Sequence, residues 1–251
     1  MKKNVMKIAA LAMSVLMVMM LFTACGKAEE EKVIVFGTNA EFEPFEFVAE
    51  NGVIDNYDGI DMVIAKTIAE NNGMKAQISN MEFDSLVMAL ANGQMDAVIA
   101  AMTVTDERAE AVDFSTPYYA ATQVMIVKED SDIAAAADME GKVIAVVQGY
   151  TGETCVQDMG FEYEAFKKGT EAVMELNNGK CDVVVIDSAT AQKYVADNAG
   201  LKIVEDSTAF EGEEYAIAVK KGNTELLNMI NAEIEKMLAD GTISAIAADY
   251  T

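Results

Sequence analysis

The chain of 251 residues contains no histidine, one arginine, two prolines and three cysteines. Each scarcity excludes something. Without histidine or clustered cysteines, the richest soft-metal ligand sets are missing, and neither a metal nor another cofactor is expected. The commonest general acid–base side chain is missing too, which weighs against enzymatic chemistry. Pro44 and Pro117 each fall in a connection and break no helix or strand. Basic residues number 18 against 42 acidic ones, a formal charge of −24. Neutralising nucleic-acid phosphates takes lysine and arginine, so no nucleic-acid partner is expected. The acidity suits a self-repelling soluble surface, or a cleft that draws in cationic ligands.

What is present begins with a processing signal. Lys2, Lys3 and Lys7 precede an apolar run of 15 residues, Ile8 to Phe22, short for a membrane span and suited to export. It closes on "LFTAC". This resembles the bacterial lipoprotein signal, whose cleavage leaves a lipid-modified cysteine, here Cys25, as the new N-terminus; Phe22 departs from the usual leucine. Residues 1–24 are thus read as a signal peptide and 25–32 as a polar tether. Each buried lipid CH2 is worth ~0.8 kcal/mol, so several chains on Cys25 would anchor the protein outside the membrane. Removing the signal takes three lysines and no acids, leaving a formal charge of −27. Cys155 and Cys181 remain, and they read as free or structural thiols, with a disulfide between them as the alternative, since sequence does not place them within bonding distance.

From Val33 short apolar runs alternate with amphipathic segments. "VIVFGTN" reads as a buried strand, and "GIDMVIAKTIAENNG" as a helix stopped by Gly73. "MKAQIS" is strand-like, "FDSLVMALANG" a helix with Asp84 or Ser85 near its cap, "MDAVIAAM" a strand and "TDERAEAV" a short helix. A second series follows: strands "KVIAVVQG", "EYEAFKK", "CDVVVID", "LKIVED" and "EYAIAVKKG", and helices "YTGETCVQDM", "TEAVMELNNG", "SATAQKYVADNAG" and "NTELLNMINAEIEKMLADG". This order predicts α/β layers with mostly parallel sheets.

One element occurs twice. "VMALANGQMDAV" from Val87 and "VMELNNGKCDVV" from Val173 agree at seven of twelve positions. Each copy reads as a helix, a glycine C-cap (Gly93, Gly179), an aspartate (Asp96, Asp182) and a buried strand. Extended outward, Ala101 in the first copy corresponds to Asp187 in the second. Ligands of open α/β sheets bind outside the carboxyl ends of strands, so two facing copies would build two walls of a cleft.

The strand ends carry the polar chemistry. Arg108 is the sole arginine among 18 basic residues; its planar fork can grip a carboxylate with two bonds. Thr103 could donate to the same carboxylate, and Asp187 could accept from an ammonium group on the opposite wall. Fork plus anion is what a free amino acid needs, at ~1.5–3 kcal/mol per charged hydrogen bond. Phe42 and Phe83 sit where a ring can cover a ligand side chain, and Phe45 reads mainly as packing.

From Val33 onward the chain resembles the solute-binding proteins of polar-amino-acid ABC importers (family 3). The matching pieces are "GTNAEFEPFEF", "FDSLVMALANGQMDAVIAAMTVTDERAEAVDFSTPYY", "VVQGYTGE", "ELNNGKCDVVVIDSATA", "YAIAVKKGN" and "LADGTISAI", in order along nearly all the exported chain. The resemblance implies a two-lobed, type II periplasmic-binding-protein-like fold: residues 33–119 plus 215–251 as one lobe, 120–214 as the other, with two hinge strands near 120–123 and 210–214. It implies a monomeric receptor that closes on a free polar amino acid and delivers it to a membrane permease with a cytoplasmic ATPase. Arg108, Thr103 and Thr151 match carboxylate-binding positions, and Ala101 (through its carbonyl) and Asp187 match ammonium-binding ones. Phe42 and Phe83 match aromatic walls, and Asn39 a position near the ligand side chain. Asn39 stands where relatives often have an acid, Ala101 replaces a frequent glycine, and Val147 replaces a lysine or leucine. Loss of the acid argues against a cationic ligand; Glu41 and the overall charge argue for one. A dehydratase on the same scaffold and a sensor module are the alternatives.

Overall fold

A computed structural model describes residues 31–250; the signal peptide, Cys25 and most of the tether lie outside the described residues. The first sheet is ordered β5-β1-β6-β14-β7. Its strands are β1 (Lys32–Thr38), β5 (Met74–Asn80), β6 (Ala97–Val98), β7 (Val112–Phe114) and β14 (Ala218–Lys220). A small sheet of β2 (Glu41–Phe42), β3 (Glu46–Val48) and β4 (Tyr57–Asp58) stands beside it. Helices α1 (Ile60–Asn71), α2 (Phe83–Ala91), α3 (Asp106–Ala111), α7 (Thr224–Ala239) and α8 (Thr242–Tyr250) belong to this half.

The second sheet is ordered β10-β9-β11-β8-β12. It comprises β8 (Tyr119–Lys128), β9 (Ile144–Val147), β10 (Tyr163–Phe166), β11 (Val183–Asp187) and β12 (Leu201–Val204), with helices α4 (Thr151–Asp158), α5 (Gly169–Asn177) and α6 (Ser188–Asp197). Strand β13 (Gly212–Tyr215) pairs antiparallel with the first residues of β8, Glu213 opposite Ala121. These two strands carry the chain between the halves.

Parallel order holds where a helix crosses over: β1 with β6, and β9 with β10 and β11. The strands that arrive from the other half, β8 and β14, are antiparallel to their neighbours, because no helical crossover feeds them. The expected single strand "EYAIAVKKG" is therefore two. It breaks between Tyr215 and Ala218, where the chain passes from β13 to the first sheet. There Ala216 N–H donates to Met102 C=O at 3.0 Å. Helix α2 starts one residue before Asp84, with Glu82 as an N-cap that makes no side-chain bond.

Strands buried on both faces explain the continuous apolar runs. In β11, Val184 and Ile186 enter one core cluster while Val183 and Val185 enter another. Residues 97–102 divide likewise, Ala97, Ile99 and Ala101 one way and Val98, Ala100 and Met102 the other. Period-two alternation sends side chains to opposite faces. A polar residue at the end of such a run, such as Asp187, is set by the strand at the cavity wall while staying buried.

The two copies match bond for bond. Gly93 N–H donates to Leu90 C=O and Gln94 N–H to Ala89 C=O; Gly179 and Lys180 repeat this with Leu176 and Glu175, a Schellman cap in each case. Asp96 Oδ2 accepts from Val35 N–H, and Asp182 Oδ2 from Val143 N–H, both at 2.8 Å. Each aspartate pins its strand to the parallel neighbour. Gly93 and Gly179 have φ of 74° and 71°, and an added Cβ would meet only a lysine Nζ, at 3.7 and 3.3 Å. Gly93→Ala and Gly179→Ala should each cost about 1–2 kcal/mol through the backbone alone. Urea denaturation checks this, and an unchanged midpoint in both variants would contradict it.

Candidate functional site

A narrow cavity lies at the carboxyl ends of the central strands. Seven of the eight expected ligand residues line it: Phe42, Phe83, Ala101, Thr103, Arg108, Thr151 and Asp187. Asn39 is not among the lining residues. It is 6% exposed, donates to Met81 C=O at 2.9 Å and accepts from Tyr150 O–H at 3.2 Å. Both ends of its amide are thus engaged by protein.

Arg108 stands in the first turns of α3, where Thr105 caps the helix by accepting from Arg108 N–H. Its Nη1 donates to Thr103 C=O at 2.7 Å and its Nη2 to Gly149 C=O at 2.9 Å. One guanidinium thereby touches a carbonyl from each half. Its Cζ lies 5.1 Å from the Phe83 ring centroid, within cation–π range. Burial lowers its pKa, while the charges of Asp187 and Glu213 oppose that shift. A guanidinium so placed keeps its charge.

On the opposite wall Asp187 ends β11 and starts α6; its Oδ1 accepts from Tyr215 O–H at 2.6 Å. Burial, then the charge of Glu213, push its pKa up to about 7. Ala101 holds φ at 44°, the left-handed region that favours glycine. Asp61 Oδ2 holds this turn by accepting Ala101 N–H at 2.8 Å, and it also accepts from Tyr118 O–H. Burial lifts Asp61 to about 7 and holds the adjacent, fully buried Glu46 well above the carboxylate range. The bond from Ala101 N–H to Asp61 fixes the turn at the cavity wall.

Two contributors escape sequence reasoning. Tyr150 lines the cavity and packs edge-on against Phe42 at 5.3 Å and Phe83 at 4.7 Å. Its signal was adjacency to Thr151 at a strand end. Glu213 sits on β13, and its Oε2 accepts from Thr103 and Thr151 hydroxyls at 2.7 and 2.8 Å; nothing in "FEGEEY" marks one glutamate from its neighbours. Glu41, a candidate for holding a cationic ligand, is instead paired with Lys168 at 2.7 Å. Lys167 pairs with Asp84 at 3.0 Å and Lys193 with Glu43 at 3.6 Å. These rim pairs join the halves but are partly exposed, so each contributes about 0–1 kcal/mol.

Cys155 and Cys181 are both free, and burial raises their thiols to about 11 and 12. No group of three potential metal ligands occurs among the described residues. No helix among them is long and apolar enough to cross a membrane.

The chain is similar in sequence and fold to several known proteins. The arginine-binding extracellular protein ArtP of Bacillus subtilis is 32% identical, covering 89% of this chain and 90% of its own. The ABC transporter glutamine-binding protein GlnH of the same organism is 31% identical, covering 96% and 95%. Among solved structures, an ancestral arginine-binding protein bound to arginine is 41% identical, with a TM-score of 0.81 over 88% of this chain and 98% of that one. The same scaffold has also been solved bound to glutamine. The architecture is the two-lobed, type II periplasmic-binding-protein fold. A family model matches residues 34–251, and the chain belongs to the bacterial extracellular solute-binding proteins, family 3.

Proposed function

We propose that this protein captures a free polar amino acid between residues 33–119 plus 215–251 on one side and 120–214 on the other. It then delivers the amino acid to an ABC permease while anchored to the extracytoplasmic side of the cell membrane by a lipid on Cys25. The observation that carries the reading is one cavity holding the sole guanidinium on one wall and a buried carboxylate on the other. Arg108, Thr103 and Thr151 take the α-carboxylate; Asp187 and the Ala101 carbonyl take the α-ammonium. The ligand side chain lies among Phe42, Phe83 and Tyr150.

Those rings favour a side chain with a planar polar end, a guanidinium or a carboxamide. Relatives named for arginine and for glutamine fit that chemistry. Glu41 lies outside the cavity lining and is paired with Lys168, so no unpaired Glu41 carboxylate calls for a full positive charge on the ligand. A thermal-shift screen of the twenty amino acids tests the function. Arginine and glutamine should raise the melting temperature most and aspartate least; no shift with any amino acid at millimolar concentration would contradict the reading.

Arg108→Lys replaces a fork with a point charge and should weaken binding by ~2 kcal/mol or more with the fold retained. Calorimetric titration checks this; parental affinity in the variant would remove Arg108 from the site.

Asp187 must be ionised to hold an ammonium, and its raised pKa of about 7 sets the sign. Above that pH it is charged and affinity is flat. Below it protonation removes the anion, and affinity should fall toward roughly tenfold per pH unit. Asp187→Asn should bind weakly at every pH and lose the slope. A parental affinity equal at pH 5 and pH 8 would contradict the assignment.

A further inference from the structure

We propose that Glu213 is an internal rival for the ligand's α-carboxylate, occupying the two threonine hydroxyls assigned to that group and clamping the halves together at the hinge. This rests on the function proposed above. The contact is specific. A single oxygen, Glu213 Oε2, accepts from Thr103 Oγ1 at 2.7 Å, Thr151 Oγ1 at 2.8 Å and Gln123 Nε2 at 3.3 Å. Thr103 comes from the strand-end segment of the first half and Thr151 from the first residue of α4 in the second. Glu213 itself sits on β13, one of the two strands connecting them.

Donor arithmetic makes this a competition. A threonine hydroxyl has one proton to give, and both hydroxyls give it to Glu213. A second carboxylate reaching them must displace Glu213, or bind beside a like charge with only Arg108 and backbone N–H groups to hold it. Either course weakens binding. Backbone pairing fixes the rival in place: Glu213 lies opposite Ala121 on β8, Tyr215 bridges to Thr103, and Val104 N–H donates to Glu214 C=O at 2.9 Å. The Thr151 hydroxyl also accepts from Gln123 Nε2 at 3.0 Å, which orients its proton toward Glu213. An anion at this position lowers affinity for the ligand's carboxylate end and stabilises the approach of the halves. The site thereby gains easier release in exchange for tighter capture.

The experiment is calorimetric titration of L-arginine and L-glutamine into the parent, Glu213→Ala, Thr151→Val and the double variant, with small-angle scattering of each protein without added amino acid. Glu213→Ala should bind about tenfold more tightly, since the Thr103 and Thr151 hydroxyls are released to the ligand's carboxylate. Thr151→Val should cost more in the Glu213→Ala background than in the parent, because only there does the ligand have that proton to itself. The radius of gyration of Glu213→Ala should exceed that of the parent. Should Glu213→Ala fail to fold, Glu213→Gln, which keeps an acceptor but not the charge, should show a smaller gain of the same sign. Unchanged or weaker binding in the folded variants would overturn the proposal. If the parent binds neither these nor any other amino acid, the proposed function falls; expansion on loss of Glu213 would then still support the clamp, and an unchanged radius would overturn it.

Discussion

A buried charge has to be matched, and this cavity is organised around matching one guanidinium with carboxylates. Arg108 is the sole arginine in a strongly acidic chain. It is held by carbonyls from both halves and influenced by Asp187 and Glu213. Removing a charge from water costs several kcal/mol unless partners replace the solvent. The carbonyls, the Phe83 face and the acids replace it. The Ala101 turn and the Asp187 strand end line the same small volume, and Glu213 bonds two of its threonines from outside the lining.

The fold makes that volume by duplication. Two copies of a helix, a glycine cap and a strand pinned by aspartate bring Ala101 and Asp187 to equivalent strand ends. The copies differ where the chemistry differs. One ends in a strained alanine whose amide is held by Asp61, the other in a carboxylate whose ionisation is held back by burial. Apolar side chains on both faces of the strands fix the backbone, and the residue after each apolar run lines the cavity.

Much of this was legible in the sequence because the signals are local. The α1 helix, the glycine caps at 93 and 179 and the strand of Val183–Asp187 follow from periodicity and turn chemistry. Arg108, Thr103 and Asp187 stand out as polar groups at the ends of apolar runs, Thr151 comes from the family resemblance, and all four meet in one cavity. The rest depends on partners distant in sequence. Asn39 reads as a position near the ligand side chain, and Tyr150, 111 residues away, and the Met81 carbonyl each take one bond of its amide. Glu41 was neutralised by Lys168, which no local pattern could reveal. Glu213 reached the site only because β13 pairs with β8, and the strand expected at 214–222 broke where the chain changes sheets. Long-range pairing, not composition, decided each of these.

The central claim is that guanidinium and carboxylate grip opposite ends of one zwitterion. The most direct measurement compares the dissociation constant of L-arginine with those of its N-acetyl and C-amide derivatives, by calorimetry on the parent protein. Each blocked end removes charged hydrogen bonds worth ~1.5–3 kcal/mol apiece, so both derivatives should bind at least tenfold more weakly than arginine itself. Parental affinity for either derivative would mean that the corresponding end of the ligand does not meet Asp187 or Arg108, and the account would be wrong.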